Sequence, residues 1–172
     1  MHLDTSGAAR ALAAAAAVCA LLAAPSLHAF DLTDTRGRHH RLADYKGRWV
    51  VMNFWATWCV PCIQEIPEIA AFGRSHAEVA LIGVAIDAED VEKTKRFAVK
   101  VGHEYPLVLS DDAVEVQLGA VRALPTTRIY NPAGKLVYDK PGRVDRKMLE
   151  ESTVLGAPKA QRSLSARNTR LE

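Results

Sequence analysis

Two cysteines separated by two residues, Cys59 and Cys62, follow an apolar run in the segment FWATWCVPC. This spacing is compatible with a structural disulfide, with half of a metal site, or with a pair that exchanges electrons. A structural role is disfavoured because the stabilisation from a disulfide grows with the length of the loop it closes, and a CxxC pair closes almost no loop. The remaining choice lies between a metal site and a redox site.

A zinc site is disfavoured by the small number of further ligands. Structural zinc takes four protein ligands, and catalytic zinc takes three with a water, drawn mainly from Cys and His. The histidines after residue 29 lack the spacing of a zinc finger; they are His39, His40, His76 and His103. The adjacent pair His39 and His40 lies in a polar loop, where we expect solvated side chains. Copper(I) bound by the two thiolates and a histidine stays open, since soft ligands suit that ion. Such a protein would be a copper chaperone rather than an enzyme.

The surrounding sequence favours the redox alternative. A strand that runs into a CxxC pair at the start of a helix places Cys59 beside unpaired backbone N–H groups and the positive end of the helix dipole. Both stabilise the thiolate, which is the nucleophile in thiol–disulfide exchange. Cys62 lies one turn into the helix, where we expect a buried resolving thiol. Trp58 is predicted to lie at the rim of the site.

The first 29 residues have the layout of a secretory signal peptide. A short polar start is followed by the uncharged run ALAAAAAVCALLAA, then by Pro25, and the segment ends at the small residue Ala29. We therefore predict cleavage after Ala29 and export. If the segment stays uncleaved, it anchors the protein in the membrane, which is the only membrane contact we predict. Cleavage removes Cys19 and leaves the CxxC pair as the only cysteines, in a compartment where disulfides persist.

The rest of the chain predicts one α/β domain over residues 30–156. Short alternating segments before Trp49 indicate an N-terminal β-hairpin at the edge of a sheet. Apolar runs indicate buried strands at 49–56 and 79–87, each followed by a helix, the first of which carries the CxxC pair. A βα insertion, a second hairpin and a closing helix follow, so we expect a central mixed sheet flanked by helices. Residues 157–172 are predicted to form a basic, disordered tail. A net charge of +2 gives no support to nucleic-acid binding.

The segment NFWATWCVPCIQEIPEI resembles the active-site region of the TlpA/ResA-type thioredoxin-like disulfide reductases of the bacterial cell envelope, which are related to AhpC/TSA proteins. The resemblance continues through DYKGRWVVMNFW, LIGVAID and LPTTRIYNPAGKLV. It implies the thioredoxin fold and a periplasmic enzyme that reduces protein disulfides without a metal or other cofactor. It also implies two kinds of partner: disulfide-bearing clients in cytochrome c or copper-oxidase assembly, and a membrane-embedded electron donor.

The resemblance also assigns roles to further positions. A cis-proline faces the CxxC pair in thioredoxin-like proteins, and Pro125 in LPTT fits that position, with a trans proline at a strand start as the alternative. The backbone of Leu124 would then pair with the client at the mixed-disulfide stage. Glu65 shares a helix face with Cys62 because the two are three residues apart. The resemblance implies that Glu65 is a part-buried acid that assists proton transfer, whereas a solvated helix residue is the alternative.

Overall fold

A computed structural model of the chain describes residues 29–86, 88 and 90–153. The predicted signal peptide, apart from Ala29, and the predicted basic tail lie outside the described residues. Within the described ranges, no helix is both long enough and apolar enough to cross a membrane.

Strands and helices alternate along the described chain in the order that the apolar patterns predict. The elements are β1 (Asp31–Thr33), β2 (His39–Arg41), a 3-10 turn (Leu42–Tyr45), β3 (Trp49–Trp55), α1 (Val60–Ser75), β4 (Val79–Ala85), α2 (Val91–Lys100), β5 (Leu107–Leu109), α3 (Asp112–Leu118), β6 (Thr126–Tyr130), β7 (Leu136–Pro141) and α4 (Arg146–Ser152). Helices α2, α3 and α4 each begin after an aspartate whose side chain accepts a hydrogen bond from a backbone N–H three residues further on. These N-caps fix where the three helices start.

Strand β3 lies at the centre of a five-stranded sheet with the order β5-β4-β3-β6-β7. It pairs in parallel with β4 and antiparallel with β6, so the sheet is mixed, as predicted. Every residue of β3 is buried because helices and the hairpin cover both faces. Val51 and Trp55 face α1, whereas Met52 and Phe54 face the opposite layer, since alternate side chains of a strand point to opposite faces. The CxxC pair follows the carboxyl end of this central strand and therefore lies at that end of the sheet.

The N-terminal hairpin is confirmed, but its position differs from the prediction. Strands β1 and β2 pair with each other in a separate two-stranded sheet and do not extend the edge of the central sheet. The turn between them is tied to the central sheet by a hydrogen bond of 2.8 Å from the Thr35 N–H to the Leu107 carbonyl.

The expectation of solvated side chains is wrong for His40, although His39 is exposed. The His40 ring is buried, with Nε2 at 3.0 Å from an Asp34 carboxylate oxygen and Nδ1 at 2.5 Å from the Tyr45 hydroxyl. Burial of this imidazole is tolerated because both ring nitrogens have partners.

Candidate active site

A disulfide bond joins Cys59 and Cys62 at the amino-terminal end of α1. Cys59 is the N-cap residue of the helix, and its Sγ accepts a hydrogen bond of 3.3 Å from the backbone N–H of Cys62. Pro61 lies in the first turn, where its missing N–H costs no helical hydrogen bond. The start of α1 thus directs an N–H donor and the positive end of the helix dipole at the Cys59 sulfur.

The two cysteines differ in their access to solvent. Cys59 is 4% exposed, whereas Cys62 is completely buried in an apolar cluster with Trp55. On either side of Cys59, Trp58 and Val60 are each 63% exposed, so Trp58 lies at the rim of the site. Of the two cysteines, only Cys59 therefore retains any contact with solvent. In the described part of the chain, no cluster of three or more His, Cys, Asp or Glu side chains could hold a metal ion.

The loop before β6 lies against the same apolar cluster. The Leu124–Pro125 peptide bond is cis, and Pro125 is buried immediately before the strand. Leu124 is partly buried and packs against the cluster that contains both cysteines. Since β6 is the antiparallel neighbour of β3, the start of one strand lies beside the end of the other, where the CxxC pair begins. The structure thus brings Leu124 and Pro125 together with the disulfide.

Glu65 is completely buried on α1, so the alternative of a solvated side chain is wrong. Its Oε1 accepts a hydrogen bond of 2.7 Å from the Asn53 side-chain amide, and its Oε2 accepts one of 2.9 Å from the Val144 N–H. Both oxygens of the carboxyl group therefore accept hydrogen bonds. Glu65 lies one helical turn after Cys62.

The environment of Glu65 places its protonation equilibrium near neutrality. Burial raises its pKa from the ordinary value of 4.5 to about 7. The hydrogen bonds from Val144 and Asn53 and the positive charge of Arg143 act in the opposite direction, and the negative charge of Glu68 adds to the rise. A carboxyl group with this pKa can both accept and return a proton at neutral pH.

The sequence pattern does not single out Asn53, which donates to Glu65, or Tyr105, whose hydroxyl donates to Asn53 at 3.2 Å. A signal for Asn53 is nevertheless present, because a lone polar residue in the buried run WVVMNFW requires a hydrogen-bond partner. Gly83, inside the buried strand β4, is a signal that another group packs closely against this strand, because a glycine within a strand often marks such an approach.

Comparisons with known proteins agree with this site. The AhpC/TSA family model matches residues 23–139. Thiol-disulfide oxidoreductase ResA of Bacillus subtilis (strain 168) is 36% identical over 126 residues, covering 71% of this chain and 69% of that protein. The ResA protein of Halalkalibacterium halodurans is 31% identical over 132 residues, covering 76% and 75%.

Solved structures share the fold. The structure of MTB dsbF in its mixed oxidized and reduced forms has a TM-score of 0.65 and 25% identity, covering 74% of this chain and 95% of that one. A thiol:disulfide interchange protein of the thioredoxin family from Chlorobium tepidum TLS also has a TM-score of 0.65, with 22% identity and coverage of 72% and 90%. The predicted thioredoxin fold and the resemblance to ResA-type proteins are thereby confirmed.

Proposed function

The chain belongs to the AhpC/TSA family and is a thiol–disulfide oxidoreductase, and we propose that it reduces disulfides in exported client proteins. The observation that supports this most directly is the Cys59–Cys62 disulfide at the start of α1, with the buried Glu65 carboxyl one turn along the same helix face. The two sulfurs carry the electrons, so that the reaction needs no cofactor.

The reaction begins with the reduced enzyme and an oxidised client. The Cys59 thiolate attacks one sulfur of the client disulfide, so that a Cys59–client bond forms and the client disulfide breaks. The second client sulfur leaves as a thiolate and takes a proton from solvent. The N–H of Cys62 and the helix dipole support the Cys59 thiolate before this attack. Trp58 and the Leu124–Pro125 segment flank the sulfur and contact the client.

The second step releases the reduced client. Cys62 gives its proton to the Glu65 carboxylate and attacks Cys59, so that the Cys59–Cys62 bond forms and the Cys59–client bond breaks. The departing client thiolate takes a proton, and two electrons have passed from the enzyme to the client. A buried cysteine needs a nearby base for this step because burial disfavours its thiolate.

The charge near the disulfide supports a reducing direction. DsbA is a strong oxidant because its reduced form is stabilised. A Glu65 carboxylate has the opposite effect here, since a nearby negative charge disfavours the Cys59 thiolate of the reduced enzyme. This effect destabilises the reduced enzyme and makes it a better electron donor.

The cellular setting follows from the sequence and the resemblance. The signal-like segment at residues 1–29 supports export to the periplasm. In that setting the clients are apocytochromes c awaiting haem attachment or copper-delivery proteins of oxidase assembly. A membrane-embedded donor returns the enzyme to its dithiol form after each turnover.

The reduction potential of the Cys59–Cys62 couple tests the direction. It is measured by tryptophan fluorescence in thiol–disulfide buffers, and we expect a value nearer thioredoxin, at about −270 mV, than DsbA, at about −120 mV. Glu65→Gln should make the potential less negative, whereas Glu115→Gln, at an exposed position of α3, should leave it unchanged. A potential near that of DsbA would overturn the reductase proposal. The absence of a reversible couple would return the cysteines to copper(I) binding.

A trapping experiment tests the clients. Cys62→Ser keeps the Cys59 nucleophile but lacks the resolving thiol, so mixed disulfides with clients should accumulate in cells. Mass spectrometry of the captured partners should identify exported proteins that carry cysteine pairs. Cys59→Ser serves as the matched control and should capture none. Capture confined to cytosolic proteins would contradict the proposed export.

A further inference from the structure

We propose that Asn53 and Tyr105 are positioning residues that hold Glu65 as a proton-accepting carboxylate, a proposal that rests on the proposed role of Glu65 in thiol–disulfide exchange. The Tyr105 hydroxyl donates to the Asn53 side-chain oxygen at 3.2 Å, and the Asn53 amide nitrogen donates to Glu65 Oε1 at 2.7 Å. Asn53 and Glu65 are completely buried, and Tyr105 is 9% exposed. The three side chains form a hydrogen-bonded chain, here called the relay, that ends at the carboxyl group.

The Tyr105 hydroxyl favours one of the two orientations of the Asn53 amide. A carboxylate only accepts hydrogen bonds, so a charged Glu65 requires the amino group of Asn53. A flipped amide would turn its oxygen towards Glu65, where it could bond only a protonated carboxyl. The flip would also deprive the Tyr105 O–H of the Asn53 oxygen, and a buried donor without an acceptor is costly. Tyr105 therefore favours the amide orientation that stabilises the carboxylate.

The ring of Tyr105 is held in place by its neighbours. His103 packs on it with 3.8 Å between ring centroids, and the His103 ring in turn lies 5.5 Å from that of Trp55. Gly83, the partner of Asn53 across the β3–β4 pair, leaves room for these rings, because a Cβ at this position would overlap His103. The absence of a side chain on β4 thus allows an aromatic residue to reach the buried amide on β3.

The relay acts among several charged and titratable groups around Glu65. From the loop before α4, Arg143 contributes a positive charge, and its guanidinium is bonded to Gln64 at 3.1 Å. Glu68 on α1 contributes a negative charge. Tyr138 on β7 lies within the field of Glu65, and burial raises its pKa. Burial raises the pKa of Tyr105 well above 10, so that its hydroxyl stays protonated and remains a donor.

The relay affects the reaction through the proton on Glu65. When an external dithiol opens the Cys59–Cys62 disulfide, it bonds to Cys59, and Cys62 leaves as a thiolate that takes the proton of Glu65. Resolution of a mixed disulfide is the reverse proton transfer, from Cys62 to the Glu65 carboxylate. A relay that stabilises the carboxylate therefore assists resolution and sets the pH range in which both directions operate.

The proposal is tested by the titration of Glu65 in the oxidised full-length protein. Its carboxyl C=O infrared band, identified by its absence from Glu65→Gln, is followed as the pH is raised. Tyr105→Phe should move the midpoint upwards by about one pH unit, because it removes the bias on the Asn53 amide. Tyr138→Phe is the matched control, since its hydroxyl bonds to the Met148 sulfur and not to Asn53. This control should leave the midpoint unchanged.

A double-mutant cycle shows whether Tyr105 acts through Asn53. In an Asn53→Leu background, which lacks the amide, Tyr105→Phe should produce no further shift. If Asn53→Leu fails to fold, as judged by circular dichroism, Asn53→Ser takes its place because serine is too short to reach Glu65. An unchanged midpoint in Tyr105→Phe alone, or an equal shift in both backgrounds, would overturn the proposal.

A second readout separates this proposal from the proposed function. The rate at which dithiothreitol reduces each variant is measured across the same pH range, and its midpoint should follow the infrared midpoint. A shifted band without any thiol–disulfide exchange would reject the proposed function and leave the relay intact. Normal exchange with an unshifted band would reject the relay alone.

Discussion

The buried carboxyl of Glu65 should make the stability of the oxidised protein depend on pH. Burial raises its pKa from 4.5 to about 7, so between these values the folded protein holds a proton that the unfolded chain has lost. The contribution of Glu65 to stability is therefore complete below pH 4.5 and is lost as the pH rises through about 7. At about 1.4 kcal/mol per pH unit, the loss in the free energy of unfolding amounts to about 3 kcal/mol.

A second buried group hides this effect in the wild-type protein. Burial lowers the pKa of His103 from 6.5 to about 4, so this imidazole destabilises the fold as the pH falls below 6.5. The two slopes have opposite signs and overlap between pH 4.5 and 6.5. Asp34 does not contribute in this window, because hydrogen bonds from His40 and from the Arg36 and Arg38 N–H groups hold its pKa below the ordinary value of 3.8 in spite of its burial. In the wild-type protein the free energy of unfolding therefore changes less with pH than it would if Glu65 or His103 titrated alone.

The difference between the wild type and Glu65→Gln isolates the carboxyl, because the carboxamide does not titrate. Urea denaturation of the oxidised proteins, followed by tryptophan fluorescence, should show the wild type losing about 3 kcal/mol relative to Glu65→Gln between pH 4.5 and about pH 8. Glu115→Gln, at an exposed position of α3, should give a curve parallel to the wild type. Parallel curves for Glu65→Gln as well would refute the reasoning, since Glu65 would then have the same pKa in the folded and unfolded states.

Two further predictions concern packing and the hairpin. Gly83→Ala should cost about 1–3 kcal/mol in chemical denaturation because its Cβ overlaps the buried His103 ring. Gly73→Ala should cost less, since its Cβ meets only the flexible end of a leucine side chain; equal losses would contradict the overlap. Asp34→Asn should cost about 2 kcal/mol at neutral pH because it weakens charge-assisted hydrogen bonds to a buried carboxylate. Asp44→Asn, which affects an exposed ion pair, should change thermal stability far less, and a comparable loss would contradict the role given to Asp34.

Local patterns were sufficient to predict most of the fold and the cysteine pair. The apolar run at Trp49–Trp55, interrupted only by Asn53, is typical of a strand covered on both faces, and it forms the buried central strand of the sheet. The start of α1 was predictable because Pro61 suits a first helical turn, and the spacing of Cys62 and Glu65 follows from the helical period. Each of these inferences depends on residues that are close in the sequence.

The parts that the sequence does not reveal depend on contacts between distant segments. Asn53 and Tyr105 are 52 positions apart and meet only because of the packing between β3, β4 and the segment before β5. The burial of His40 likewise depends on Asp34 and Tyr45, which satisfy its two ring nitrogens from the turn and from the segment after β2. A polar dipeptide gives no local sign that one member is exposed and the other buried.

The His103 ring fills the place that a side chain at position 83 would take, and this has a consequence for how the protein can change over evolutionary time. Because a methyl group there would overlap His103, an alanine at this position should destabilise the protein less once the residue at 103 has become smaller. A smaller residue at 103 would remove the ring that packs on Tyr105 and so loosen the group that orients Asn53. Substitutions at positions 83 and 103 should therefore tend to occur together.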